Sequence, residues 1–395
     1  MILSFSFARI PHIIFGAGNL RQLYNIIPQF GNNVLFVIGR SSLKQSGKWN
    51  EIISALDGKI KSIFSISISR EPSPGLIDEC VEKFRNKEID LIVGIGGGSV
   101  TDAGKAISAM ITKNDSIINY LEGIGNKSHD GKKVPYIAIP TTSGTGSEAT
   151  KNAVISEVGE NGFKKSLRHD NLIPDITIID PELMISCPPS ITAACGMDAF
   201  TQLLEAYVSS KASPITNVLA YSGMKYIGKS LSAACSSGAS NTEIRAAMAY
   251  GSLMSGIALA NAGLGIVHGL ASPIGGFFNI PHGVVCGTLL TEATKMNIEL
   301  LGKQGSVGKR ALRKYAKIGA LLVGEKLIEE RQIDNYCHKL IETLDDWTQE
   351  LRIDRLGKYN IKEENVDKIV ENAGLKNNPV NLSKENIKTI VINRI

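Results

Sequence analysis

Apolar and polar residues follow two alternating periods along the first half of the chain. Short apolar or β-branched runs, typical of buried parallel strands, are followed by stretches with helical spacing of apolar residues. The predicted strands cover residues 11–15, 33–38, 62–68, 90–95, 134–139 and 175–179. The predicted helices cover residues 20–27, 49–56, 74–87 and 99–110. This alternation predicts an α/β fold with a doubly wound parallel sheet.

The pattern changes after residue 183, where almost every segment has helical spacing. The predicted helices cover residues 192–209, 214–233, 242–261, 265–275, 284–297, 309–322, 334–351 and 362–373. The chain has 395 residues, and single cores stop growing at about 250–300 residues. We therefore expect two domains, an α/β domain at residues 1–182 and an all-helical domain at residues 183–395.

Composition narrows the classes of protein. The net charge is +5 and no block of basic residues stands out, so no nucleic-acid partner is expected. Six scattered cysteines without a C-x-x-C motif indicate free thiols in a reducing compartment. The N-terminus lacks the features of a signal peptide, and no uninterrupted apolar run reaches about 18 residues. We expect a cytoplasmic protein without a membrane partner.

A glycine turn follows the strand at residues 90–95. Gly96, Gly97 and Gly98 let the backbone approach an anion, and the N–H groups of the following helix point towards it. Ser99 is predicted to be the N-cap residue. Asp102 is placed in the first turn, where it suits the helix dipole and can bond a ligand amide. The turn predicts a diphosphate site, and the alternative is a tight turn without a ligand.

A second polar loop follows the strand at residues 134–139. Its hydroxyl side chains suit phosphate or ribose and are those of Thr141, Thr142, Thr145 and Ser147. The alternative is a loop whose hydroxyls satisfy its own backbone. Because both loops end strands of one predicted sheet, we favour cofactor binding.

The end of the strand at residues 33–38 bears on the choice of cofactor. Dehydrogenases that prefer NAD place a carboxylate at the adenosine 2′-hydroxyl, whereas a 2′-phosphate is met by arginine. This chain has Gly39, Arg40 and Ser41 here and no carboxylate. The sequence therefore predicts that NADP(H) is tolerated or preferred.

Candidate metal ligands lie in the helical half. Asp198 and Gln202 are four residues apart, so they share a helix face. His268 and His282 lie 14 residues apart among apolar residues. One Asp and two His leave a coordination position open, as catalytic metal sites do. The alternative is that both histidines are satisfied core residues.

Five motifs together resemble the iron-containing (group III) alcohol dehydrogenases over essentially the whole chain. They are Gly96–Lys105, Thr141–Glu148, Asp180–Leu183, Gly196–Glu205, and His268 with Pro281-His282-Gly283. The resemblance implies a nucleotide-binding α/β domain, an all-helical metal domain, a site in the cleft between them, and a homodimer.

Carried over position by position, the resemblance implies metal ligands at Asp198, His268 and His282. Lys164 and Leu183 are implied to lie beside the cofactor. Two positions depart from the family, because it has histidine where this chain has Gln202 and where it has Ser272. Gln202 is open to three roles: a weak ligand, a partner of metal-bound water, or neither. The general acid/base is left to Ser272, Lys164 or a water chain.

The implied function is a metal-dependent, NAD(P)-linked alcohol dehydrogenase or aldehyde reductase. Hydride passes between nicotinamide C4 and a small alcohol or aldehyde carbon, with one Fe or Zn ion. The alternatives are a glycerol dehydrogenase-like or maleylacetate reductase-like enzyme, a dehydroquinate synthase-like lyase, or a metal-free nucleotide-binding protein. The lyase requires a basic cluster around His268 and His282, which the sequence does not reveal.

Overall fold

A computed structural model describes residues 4–326 and 329–395. A six-stranded parallel sheet occupies the first half. Its strands are β1 (His12–Phe15), β2 (Asn33–Gly39), β3 (Ser62–Ile68), β4 (Leu91–Gly96), β5 (Tyr136–Pro140) and β8 (Ile176–Ile179). Their order in the sheet is β1-β8-β5-β4-β2-β3. The six predicted strands are confirmed. Residues 1–3, part of the segment judged to lack a signal peptide, lie outside the described residues.

Helices cover both faces of the sheet. They are α1 (Leu23–Ile26), α2 (Ser42–Gln45), α3 (Lys48–Leu56), α4 (Pro74–Phe84) and α5 (Gly98–Met110). Along β2, Leu35 and Val37 pack into one core, while Val34, Phe36 and Ile38 pack into the other. Burial on both faces explains why the central strands are continuously apolar rather than alternating.

An antiparallel hairpin escaped prediction. It consists of β6 (Asn152–Glu157) and β7 (Phe163–Arg168), which pair with each other outside the large sheet. The strand β7 reads Phe-Lys-Lys-Ser-Leu-Arg, and its lysines and arginine hide the strand pattern. The hairpin leads from the polar loop after β5 back towards β8.

The second half is helical, as predicted. Its helices are α6 (Pro189–Val208), α7 (Pro214–Ala234), α8 (Thr242–Ala262), α9 (Ile266–Phe277), α10 (His282–Lys303), α11 (Lys309–Leu322), α12 (Ile333–Glu350), α13 (Val366–Glu371) and α14 (Lys384–Ile392). The predicted helix at residues 362–373 is shorter in the structure, and α14 was not predicted. The fold class is confirmed, whereas the boundary between residues 182 and 183 stays a prediction.

Two further expectations from the sequence concern membrane spans and thiols. Within the described ranges, no single helix is long and apolar enough to span a bilayer. Only α8 and α9 taken together, bent by 100° at their break, meet those criteria. All six cysteines lie in the described part of the chain and are free thiols, as predicted.

Backbone contacts join the two halves, among them a hydrogen bond from the Gly159 N–H to the Gly276 carbonyl oxygen at 3.1 Å and a close approach of Gly146 to Gly256. Gly146, in the loop after β5, has a φ of 62°, a left-handed conformation that favours glycine. A Cβ built on Gly256 of α8 would lie 2.1 Å from the Gly146 carbonyl oxygen. Neither residue can therefore carry a side chain without separating the loop from the helix.

Candidate active site

The glycine turn forms a cradle at the start of α5. The strand β4 ends at Gly96, and Gly97 is the N-cap residue in extended backbone, without a side-chain cap hydrogen bond. The prediction that Ser99 is the N-cap residue is therefore wrong, because Ser99 already lies inside the first turn of α5. No side chain caps this helix end, which suits the approach of an anion to its N–H groups.

Three strand ends meet beside this cradle. The register pairs Ile38 of β2 with Ile95 of β4, and Gly96 of β4 with Pro140 of β5. The segments that begin at Gly39 and Thr141 therefore leave the same edge of the sheet as the glycine turn. The strand order reverses between β2 and β4, and ligands of open α/β sheets bind at such a switch point.

The polar loop packs directly against the glycines. A Cβ on Gly97 would lie 3.3 Å from Thr142 Oγ1, and a Cβ on Gly98 would lie 3.0 Å from Thr145 Oγ1. The Thr141 N–H donates to the Gly96 carbonyl oxygen at 2.9 Å. The two loops thus pack side by side, in agreement with the prediction that both end strands of one sheet.

Lys105 joins the two loops and was missed as a functional position. Its Nζ is buried and donates to the Ser147 carbonyl oxygen at 2.8 Å and to the Asn152 carbonyl oxygen at 2.7 Å. Burial lowers its pKa to about 8. The Ser147 hydroxyl donates to Asp102, which thereby helps to hold the polar loop against α5. Asp102 lies beyond the first turn of α5, so the prediction that it stabilises the helix dipole from that turn is wrong.

One cavity of about 900 Å³ extends from the glycine cradle to the helical half. Predicted residues that line it are Gly98, Ser99, Asp102, Thr145, Ser147, Lys164, Asp198, Gln202, His268, Ser272 and His282. The other predicted cofactor residues are not among its lining residues and are Gly39, Arg40, Ser41, Gly96, Gly97, Thr141, Thr142 and Leu183. Residues predicted to bind the diphosphate and residues predicted to bind the metal therefore line the same cavity.

Three helices contribute the predicted metal donors. His268 Nε2 of α9 lies 3.2 Å from Asp198 Oδ1 of α6, and His282 Nε2, at the start of α10, lies 3.7 Å from the same oxygen. Cys286, one turn further along α10, joins them, and its Sγ was not foreseen as a donor. One donor atom from each of these four residues lies within 4.8 Å of the other three. Such a donor set can chelate one divalent ion.

Glu205 orients His268 and was also missed. Its Oε2 lies 2.7 Å from His268 Nδ1, and its Oε1 accepts from the Val267 N–H at 2.7 Å. Since the carboxylate holds a proton on Nδ1, Nε2 is the nitrogen that His268 offers to a metal ion, after the loss of any proton it carries. This is the carboxylate–histidine arrangement that supports metal ligands.

Charges within the cluster shift the pKa values of its members. Burial would raise the pKa of Asp198, but His282 and His268 lower it to about 2. Burial lowers the pKa of His282 to about 4. Although burial works against it, the neighbouring Cys286, Glu205 and Asp198 raise the pKa of His268. An ionised Asp198 beside a neutral His282 suits metal binding, which requires deprotonated ligands.

Gln202 faces this cluster from α6, one turn after Asp198. Its side chain is buried, and its Oε1 has no hydrogen-bond partner among the described residues. A buried carbonyl oxygen without a donor costs about 1–3 kcal/mol. Gln202 lines the cavity, so a ligand inside it can provide that donor.

Lys164 enters the cavity from β7. Its Nζ lies 2.6 and 2.7 Å from the two carboxylate oxygens of Glu71. The Ser272 hydroxyl donates to the Lys164 carbonyl oxygen at 2.9 Å. Ser272 therefore fastens the strand that carries Lys164, a role that its sequence context did not indicate.

Basic side chains that are far apart in sequence meet in the cavity. Those that line it are Arg70, Lys164, Arg168, Arg352 and Lys376. The sequence alone did not indicate that these side chains share one cavity; whether they surround His268 and His282, as a lyase would require, stays a prediction.

The fold and the cavity define a nucleotide-dependent metalloenzyme with its site between an α/β half and a helical half. The family profile described as iron-containing alcohol dehydrogenase matches residues 11–181. The profile of the C-terminal part of the Fe-containing alcohol dehydrogenase family matches residues 192–394. The chain belongs to the iron-containing alcohol dehydrogenase family.

Individual relatives are similar to this chain over most of their length. The chain is 33% identical over 370 residues to long-chain-alcohol dehydrogenase 1 of Geobacillus thermodenitrificans, covering 93% of this chain and 89% of the relative. It is 31% identical over 388 residues to the NADPH-dependent butanol dehydrogenase of Clostridium saccharobutylicum, covering 96% and 95%. The crystal structure of an archaeal halo-thermophilic Red Sea brine pool alcohol dehydrogenase superposes with a TM-score of 0.89 at 25% identity, covering 100% and 99%.

These comparisons confirm the predicted class, a metal-dependent, NAD(P)-linked oxidoreductase that acts on CH–OH groups. The lyase alternative is disfavoured by family membership, not by a lack of basic side chains. The metal-free alternative conflicts with a cluster whose donors converge within chelating distance.

Proposed function

We propose that the chain interconverts small alcohols and aldehydes with NADP(H) in the cavity between its two halves. The observation that carries the proposal is the convergence of Asp198, His268 and His282 on the wall of the cavity that also contains the glycine cradle. These three residues would hold one divalent ion. When bound, the ion supplies Lewis-acid polarisation of the substrate oxygen.

The side chains around the cluster have distinct tasks. Glu205 keeps the Nε2 lone pair of His268 directed at the donor set. Gln202 offers its unpaired carbonyl oxygen to a hydroxyl or water inside the cavity. Lys164, paired with Glu71 and fastened through Ser272, is our candidate for proton exchange with the substrate oxygen.

The cofactor is proposed to lie across the sheet edge with its diphosphate at Gly97, Gly98 and Ser99. Hydride transfer is the chemistry of the nicotinamide, and the protein supplies its position. Thr142, Thr145 and Ser147 are proposed to place their hydroxyl groups along one side of the cofactor. Leu183 is proposed to contact the nicotinamide side, as the family resemblance implies.

Arg40 and Ser41 support a preference for NADP(H), since they follow β2 beside the switch point and no carboxylate accompanies them. An Arg40→Ala variant is expected to lose discrimination between NADPH and NADH, with KM for NADPH rising and KM for NADH little changed. A wild-type enzyme with a sharp preference for NADH would contradict this assignment.

The cellular setting is part of the proposal. A cytoplasmic location is consistent with the six free thiols. The homodimer is an expectation from the family resemblance. Light scattering after size-exclusion chromatography measures the oligomeric state, and a monomer at micromolar concentration would refute the dimer.

The central experiment combines metal analysis with an NADPH oxidation assay on a panel of short aldehydes. Near one equivalent of Zn or Fe per chain, with activity that is lost on chelation and restored by the ion, is the expected result. A protein without metal, and without metal-restored activity, would reduce the proposal to a fold assignment.

A further inference from the structure

Cys286 places a sulfur atom inside the cluster of metal donors. It lies four residues after His282 on α10, so both side chains share one helix face. Its Sγ lies 3.6 Å from His268 Nε2 and 3.7 Å from His282 Nε2. The side chain is fully buried and faces no cysteine with which it could form a disulfide.

These separations match donors that share one ion. A tetrahedral ion bonds imidazole nitrogen at about 2.0–2.1 Å and thiolate sulfur at about 2.3 Å, which sets N···S at about 3.6 Å and N···O at about 3.4 Å. The two N···S distances are 3.6 and 3.7 Å, and the two N···O distances are 3.2 and 3.7 Å. These four distances are close to those of donors around one tetrahedral ion, and all four donor atoms lie within 4.8 Å of one another.

We infer that Cys286 is the fourth protein ligand of the metal, bound as a thiolate. It takes the place of the histidine that the family resemblance leads one to expect at Gln202. The inference deepens the proposed function, because it rests on the same metal site. Substrate oxygen would then bind as an additional ligand, as in those catalytic zinc sites that expand to five-coordinate.

Gln202 also indicates that a ligand binds in the cavity beside the cluster. Its buried Oε1 lacks a partner among the described residues, although it lines the cavity beside the donors. With Cys286 as ligand, Gln202 is free to accept a hydrogen bond from water or from the substrate hydroxyl.

The charge and the softness of these ligands determine which metal ion the site prefers. Binding releases the thiol proton to solvent, and the carboxylate of Asp198 with the thiolate of Cys286 neutralises a divalent ion. A buried site favours such neutrality, because an unpaired buried charge is costly. Thiolate is a soft ligand that selects zinc over harder ions such as Mn²⁺ and Mg²⁺. We therefore expect this site to hold Zn²⁺ in preference to Mn²⁺.

Cobalt substitution tests the ligand directly. The full-length apoprotein, prepared by dialysis against a chelator, is titrated with Co²⁺ and followed by absorption. The wild type should show a near-ultraviolet thiolate-to-cobalt charge-transfer band beside the visible bands of bound cobalt. Cys286→Ser should keep the visible bands and lose the ultraviolet band. Cys337→Ser, which alters another buried cysteine of the helical half, should keep both, as should Gln202→Ala.

Zinc affinity and proton release give a second readout. Loss of a direct ligand should cost more than the loss of an outer-shell partner, so Cys286→Ser should weaken zinc binding by more than about 100-fold. It should also release one proton fewer per zinc bound than the wild type. Circular dichroism checks that the variant is folded, and if it is not, the wild-type cobalt spectrum decides alone.

The outcomes separate this inference from the proposed function. Cobalt bound by the wild type without the ultraviolet band, or a band that survives in Cys286→Ser, overturns the thiolate assignment and leaves the metalloenzyme intact. In that case the sulfur only donates a weak hydrogen bond to a histidine. Failure of the wild type to bind either Co²⁺ or Zn²⁺ overturns both.

Discussion

The hydrogen bond between Glu205 and His268 offers a quantitative test of how the helical half holds its metal. Glu205 accepts on both oxygens, from His268 Nδ1–H and from the Val267 N–H, each at 2.7 Å. In Glu205→Gln one oxygen becomes an NH₂ group, so one of the two buried donors loses its acceptor. The variant also removes the negative charge that makes His268 a stronger ligand.

The expected cost follows from the role of the carboxylate. Loss of an outer-shell partner lowers metal affinity by about 10- to 100-fold, which is about 1.4–2.7 kcal/mol. The assay is competition between the apoprotein and a chromophoric chelator for Zn²⁺, followed by measurement of kcat in the zinc-saturated enzyme. Glu243→Gln, the same change at an exposed position at the start of α8, is the matched control and should leave both values unchanged.

A Glu205→Gln protein that is folded and binds zinc within twofold of the wild type would refute the reasoning. The carboxylate would then hold only the backbone at Val267. A variant that loses affinity together with thermal stability, while the zinc-free protein is also destabilised, would show a structural role as well.

Three further predictions concern the cofactor half. Lys105→Met leaves several buried acceptors without a donor and should reduce the free energy of unfolding by about 3 kcal/mol, seen as a lower urea midpoint; an unchanged midpoint would contradict it. Burial raises the pKa of Glu148 from 4.5 to about 7. Between these pH values the folded state therefore binds more protons than the unfolded state. The free energy of unfolding should fall by about 3 kcal/mol as pH rises through this window. Glu148→Gln should abolish that loss, and a pH-independent difference in Tm between variant and wild type would refute it. Gly98→Ala places a Cβ 3.0 Å from Thr145 Oγ1 and should raise KM for NADPH about tenfold, a loss of about 1.4 kcal/mol, while zinc affinity is retained; an unchanged KM would place the diphosphate elsewhere.

The sheet was predictable because its strands are short, apolar and separated by helical spacing. Burial on both faces produces the continuous runs of β2 and β4, and this pattern is local in sequence. The hairpin of β6 and β7 was not predictable, since only its pairing partner and the neighbouring helices stabilise a strand with three basic residues. Helix α14 was missed although its buried residues Ile387, Ile390 and Val391 have helical spacing. It is only nine residues long, and so short a helix depends on packing, here against α10 and α13.

Part of the candidate site could be proposed from residue type together with family resemblance. Carboxylate and imidazole among apolar residues made Asp198, His268 and His282 candidates, and the resemblance implied that they are metal ligands. Cys286 and Glu205 were missed because their roles arise from distances across α6, α9 and α10, which no spacing in the sequence reveals. The N-cap prediction at Ser99 failed because the helix begins two residues earlier, at Gly98, with Gly97 in the capping position.

The contact between Gly146 and Gly256 fixes more than local packing. Two backbones that already touch cannot approach further, so the loop after β5 and helix α8 are at their minimum separation here. A methyl group added at either glycine would have to push the loop and the helix apart. It would thereby change the separation between the glycine cradle and the donor cluster, although neither glycine lies in either binding site.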